Sequence, residues 1–109
     1  MDIKQQFKLI QNNFTENKEF IIDGYYRIRT LDSETFELAF LVGGPCGETI
    51  VHPQITVKIN ENEVIGEKLI DMYTTPAKFF SREKNSLEIN QALEELIEKF
   101  LKSKQLDGD

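Results

Sequence analysis

A single cysteine, Cys46, and a single histidine, His52, leave this 109-residue chain short of the groups that small proteins commonly use for cross-links and metals. One thiol makes no internal disulfide, whereas secreted domains of this size often rely on several. One Cys and one His also fall short of the three or four ligands that zinc requires. No cofactor motif is present: Gly43-Gly44-Pro45-Cys46-Gly47 lacks the Gly-Lys-Ser/Thr that ends a phosphate-binding loop. No apolar run approaches the roughly 20 residues that span a bilayer. The N-terminal MDIKQQFKLIQ has no continuous apolar stretch of the signal-peptide kind. These absences predict a cytoplasmic protein without membrane attachment. Basic residues are the minority: 13 Lys and Arg stand against 19 Asp and Glu, a formal net charge of −6. Such a chain repels a phosphate backbone, which disfavours nucleic acid, and attracts a basic protein.

What the chain does contain is apolar material at regular spacing. Hydrophobic residues make up 39% of it, eight Phe and three Tyr among them, enough for one modest core. Residues 1–105 read as one α+β domain and 106–109 as a frayed tail. Ile3, Phe7, Ile10 and Phe14 fall on one stripe of a helix that Asp2 and Gln5 open as a capping pair. Ile89, Leu93, Leu96 and Phe100 repeat that spacing near the C-terminus, after a cap signal from Asn85 and Glu88. Glu95–Lys99 and Glu98–Lys102 add i,i+4 ion pairs on its solvent side.

Between the two stripes the period is two. From Glu19 onward, Phe20, Ile22, Tyr26 and Ile28 point to one side, and Ile21, Tyr25, Arg27 and Arg29 to the other. Phe36, Leu38, Phe40 and Val42 are the inward set of a second strand, with Glu37, Ala39 and Leu41 outward. Ile55, Val57 and Ile59 mark a third, and Val64 to Ile70, weakened by Gly66, a fourth. Turn-rich Leu31–Glu34 and Asn60–Glu63 connect them. For Met72 to Arg82 the pattern leaves two options, an ordered loop or a short helix opened by Thr75-Pro76. The predicted fold is a two-layer α+β sandwich. An antiparallel meander of about four strands carries the N- and C-terminal helices on one face.

Two places are candidates for function. The stretch LVGGPCGETIVHP holds both the Cys and the His. As a catalytic pair, Cys46 would need a cation or a helix N-terminus beside it, and Glu48 is the wrong sign. The glycines and Pro45 instead read as a tight connection. Its tip, Gly44, Pro45 and Cys46, together with His52, is a candidate partner contact. The second place is the outer face of the sheet. There Tyr25, Arg27 and Arg29 would neighbour Ala39, Leu41, Thr56 and Lys58, a mixture of aromatic, arginine and small apolar groups typical of protein interfaces. With no catalytic constellation, the chain reads as a non-catalytic, acidic protein-binding module. An inhibitor or immunity-type protein facing a basic partner is the first reading. A small acidic chaperone or adaptor holding a client segment is the second, and an enzyme using Cys46 the third. A homodimer through a helix face is also compatible with the pattern.

Overall fold

Asp2 starts the first helix, α1 (Ile3–Asn13), as the sequence predicts. In the computed structural model, which describes residues 2–61 and 63–107, its carboxylate accepts from the Gln5 N–H at 2.9 Å. The Gln5 side chain accepts from the Asp2 N–H at 3.1 Å, which completes the capping box. The helix stops at Asn13, and Phe14 turns extended while its ring stays in the core. The chain then makes six strands and a final helix: β1 (Glu19–Ile21), β2 (Gly24–Thr30), β3 (Thr35–Gly43), β4 (Thr49–Ile59), β5 (Val64–Asp71), β6 (Lys78–Ser81) and α2 (Arg82–Ser103). All neighbours in the sheet are antiparallel and in sequence order, a complete meander.

The sheet has six strands where about four were expected, and two local causes explain the difference. Glu19 to Thr30 is a tight hairpin, with Ile21 opposite Gly24 and Ile22 at a positive φ of 58° in the turn. The turn reverses the alternation. Phe20 pairs with Tyr25 and lies on the outer face, and Ile22 is left in solvent. The sixth strand comes from the undecided segment, where Lys78–Ser81 pairs with Lys68–Asp71. Thr75-Pro76 therefore precedes a strand and not a helix. Adjacent Phe80 and Phe79 sit opposite Leu69 and Ile70, which face opposite ways.

Both helices lie on the face that carries Tyr26, Ile28, Phe36, Leu38, Phe40, Ile55, Val57 and Leu69. Phe7 meets Phe36 edge-on at 5.6 Å, and Phe100 meets Phe14 and Tyr26 at 4.9 and 5.1 Å. In α2 the expected stripe Ile89, Leu93, Leu96 and Phe100 is buried, joined by Ile97 and Leu101. Asn85 sits at a break in that helix (φ −132°, ψ 38°), so its cap signal marks the second start of α2. Arg82 spans the break, bonding the Gly66 carbonyl and Asn90 Oδ1. Glu98–Lys102 forms at 2.6 Å, while Lys99 turns away from Glu95 to Asp23 at 2.8 Å. Asn60 and Glu63 close the β4–β5 turn by mutual hydrogen bonds, and Asn62 lies outside the described residues. At the C-terminus Leu106 packs half-buried against the core, and Gly108 and Asp109 lie outside the described residues. Among the described residues, no helix is long and apolar enough to cross a membrane.

The core contains one titratable side chain with a clear consequence. Tyr26 is 2% exposed and its hydroxyl donates to Asp23 Oδ1 at 3.1 Å. Burial, then the Asp23 charge, raise its phenol well above the ordinary value of 10.0. The folded state therefore holds this proton more tightly than the unfolded chain. The associated stability is complete below about pH 10 and is lost as pH rises above it. Urea midpoints are expected to fall more steeply above pH 10 for the wild type than for Tyr26→Phe. Parallel pH curves for the two proteins would remove Tyr26 as the cause.

Candidate functional site

The sheet's second face is assembled by the strand register. Residues directly opposite one another share a face. Tyr25 stands opposite Leu41, and Arg27 opposite Ala39. Ala39 continues to Gln54, Glu37 to Thr56, and Thr35 to Lys58. Gln54 continues to Ile70, Thr56 to Lys68 and Lys58 to Ile65, and Ile70 continues to Phe79 on the last strand. All seven sheet-face candidates, Tyr25, Arg27, Arg29, Ala39, Leu41, Thr56 and Lys58, are thus brought to one side. It is the side opposite the helices.

This face carries no covering layer among the described residues, yet its centre is dry. Ala39 is 0% and Leu41 3% exposed, in a strand flanked by β2 and β4. Arg27 lies half-buried and donates to Gln54 Oε1 at 3.0 Å. Desolvation, and next the charge of Arg29, lower its pKa, with Glu37 acting the other way. Arg27 Nε and Glu37 Oε1 are buried without a hydrogen bond, although Glu37 Oε1 lies 3.7 Å from Arg29 Nη1. At the two edges stand Phe20, 61% exposed, and Phe79, 67% exposed. Phe20 packs edge-on against Tyr25 at 5.2 Å, and Lys18 Nζ sits 5.3 Å from the Tyr25 ring. Phe20 and Phe79 were not among the sequence candidates. The alternation puts Phe20 on the inner side, and Phe79 falls in the segment that the pattern leaves open between loop and helix.

The loop candidates do not form one group. Gly44, Pro45 and Cys46 lie in the tight β3–β4 connection, closed by Gly44 N–H to the Glu48 carbonyl at 2.8 Å, with Gly47 at φ 82°. Cys46 is exposed and its N–H donates to Glu48 Oε1 at 2.9 Å. His52 belongs instead to the body of β4, at a bulge where the register with β3 shifts between Ala39 and Leu41. Its ring faces the helix side. Nδ1 lies 2.8 and 2.9 Å from the two carboxylate oxygens of Asp71, and the ring packs 4.8 Å from Tyr73. Asp71 is 7% exposed and also accepts from the Tyr73 N–H at 3.1 Å.

The His52–Asp71 pair sits in a cleft of about 510 Å³ between the sheet and α2. Phe40, Leu69 and Phe80 come from the sheet, and Glu88, Ala92, Glu95 and Lys99 from the helix. No sequence motif marks this cleft. The available signal was Asp71 itself, an acid two positions after inward Leu69 and therefore on the core side of its strand. Among the described residues, no group of three or more His, Cys, Asp or Glu is placed to hold a metal ion. Comparison with protein-family models, curated proteins and solved structures finds no match.

Proposed function

We propose that the chain is a non-catalytic protein-binding module, of the inhibitor or immunity type, that meets its partner with the outer face of the sheet. The observation that carries this reading is the open face itself. Two exposed phenylalanines stand at its edges, Arg27 reaches from β2 across β3 to Gln54, and Ala39 and Leu41 beneath are buried. Aromatic and arginine groups around a dry centre are the composition of interface hot spots. Long-range attraction from a net charge of −6 favours a basic partner. The face has its own local charge, Arg27, Arg29, Lys58 and Lys68 against Glu37, which suits carboxylates at the contact. A protein that is basic overall and offers carboxylates among apolar groups meets both conditions. The edge strands are short, three residues in β1 and four in β6, which favours the face over strand addition at an edge.

The test is the double variant Arg27→Glu, Arg29→Glu, with Phe79→Asp as a second probe. A partner is first isolated with the wild-type protein from its native host, and its Kd is then measured for each variant by calorimetry. Reversal of both arginines is expected to weaken binding on the order of 100-fold, with circular dichroism unchanged. An unaltered Kd in a folded double variant would reject the face as the contact.

A further inference from the structure

The cleft between the sheet and α2 has a chemistry of its own, carried by residues separate from the outer face. Its floor is aromatic and aliphatic, from Phe40, Leu69 and Phe80. A cation already rests there: Lys99 Nζ lies 4.3 Å from the centre of the Phe40 ring, held in place by Asp23 at 2.8 Å. The walls offer acceptors. Glu88 and Glu95 line the cleft from α2, and neither has a cationic partner among the described residues; Glu95 only accepts weakly from Gln91 at 3.5 Å. Asp71 accepts from His52 Nδ1, so the one buried carboxylate of the lining is already paired. Lys78 is the remaining positive group at the lining. With Lys99 committed to Asp23 and Asp71 to His52, the balance of Glu88, Glu95 and Lys78 is negative. The volume of about 510 Å³ lies within the ordinary range for small-ligand sites.

We propose that this cleft is a second binding site, which takes an ammonium or guanidinium group carried on an apolar stem. The stem lies on Leu69 and Phe80, beside the Phe40 ring that Lys99 already covers, and the cation is received by Glu88 and Glu95. The same chemistry is offered by a free organic amine and by a Lys or Arg side chain of a protein partner.

Titration of the isotope-labelled protein with phenethylammonium, followed by amide shifts, tests this directly. Saturable shifts are expected at His52, Asp71, Gln91 and Glu95. The size-matched 2-phenylethanol and 3-phenylpropionate are expected to bind at least about tenfold more weakly, as is phenethylammonium to Glu88→Gln, Glu95→Gln. These two glutamates are exposed, so the variant keeps its fold. A glycine-flanked, end-blocked arginine peptide separates the sources. Tighter binding of the peptide than of phenethylammonium assigns the site to a protein side chain, and the reverse order to a free amine. Shifts that do not saturate, equal binding of the alcohol or the carboxylate, or an unchanged affinity in the double variant would each overturn the proposal. None of these outcomes bears on the outer face, because Arg27 and Arg29 are not among the residues that line the cleft.

Discussion

Phe100→Ala is expected to destabilise the protein by about 3–5 kcal/mol, the range for removing a fully buried phenylalanine. Phe100 is 0% exposed and stands where the two helices and the sheet converge. Its ring meets Phe14 at 4.9 Å and Tyr26 at 5.1 Å, both near edge-on. Such aromatic contacts add to the burial term. The cavity would lie at the junction of three elements, so no single one can move to fill it without losing contacts elsewhere. A domain of this size has a total stability of roughly 5–15 kcal/mol, so the change removes a large share of it. The urea midpoint is expected to drop by about 2 M at unchanged slope. A loss below about 1.5 kcal/mol would mean that helices and sheet do not share one core.

Gly24→Ala is expected to cost about 2 kcal/mol although it adds only a methyl group. A Cβ at this position would stand 2.5 Å from the Phe40 ring and 2.8 Å from the Leu41 carbonyl oxygen. The oxygen is backbone in the neighbouring strand and cannot swing aside. The ring is no freer, because Tyr26 packs on it at 5.1 Å and Lys99 sits over it. The comparison is Gly43→Ala in the next strand, where nothing lies within 4 Å of the new methyl. That variant is expected to stay within about 0.5 kcal/mol of the wild type. Equal midpoints for the two variants in chemical denaturation would contradict the steric account.

Asp23-Gly24 is also the place where the sequence pattern misleads. A DG pair between apolar residues marks a hairpin. The alternation of Phe20, Ile22, Tyr26 and Ile28 nevertheless reads as one long strand. The turn is taken by Ile22 and Asp23, one position earlier than the pair suggests, with a β-branched residue at positive φ. A shift of one residue in a period-two pattern exchanges the faces. Phe20 therefore leaves the core set and becomes part of the open face. Lys78–Ser81 was hidden for a different reason. Four residues are too few to show a period, and only pairing with β5 makes them a strand.

α1 was legible from its capping box and apolar stripe and the body of α2 from its stripe, local signals complete within about two heptads, whereas the turn of α2 that begins at Arg82, ahead of Asn85, was not. The alternation of Phe36, Leu38, Phe40 and Val42 was legible for the same reason, and with it the face to which the helices must dock. The sheet-face candidates followed from that alternation, since whatever is not inward must be outward. The pairing of His52 with Asp71 follows no such rule. The two residues are separated by a turn and lie on neighbouring strands. Their contact depends on a bulge in β4 that rotates His52 toward α2. The sequence by itself determined which residues seek the core. Only the tertiary structure decided which polar residues meet across it: His52-Pro53 marks an interruption of its strand locally, but the partner that His52 then meets is set by the register of whole strands.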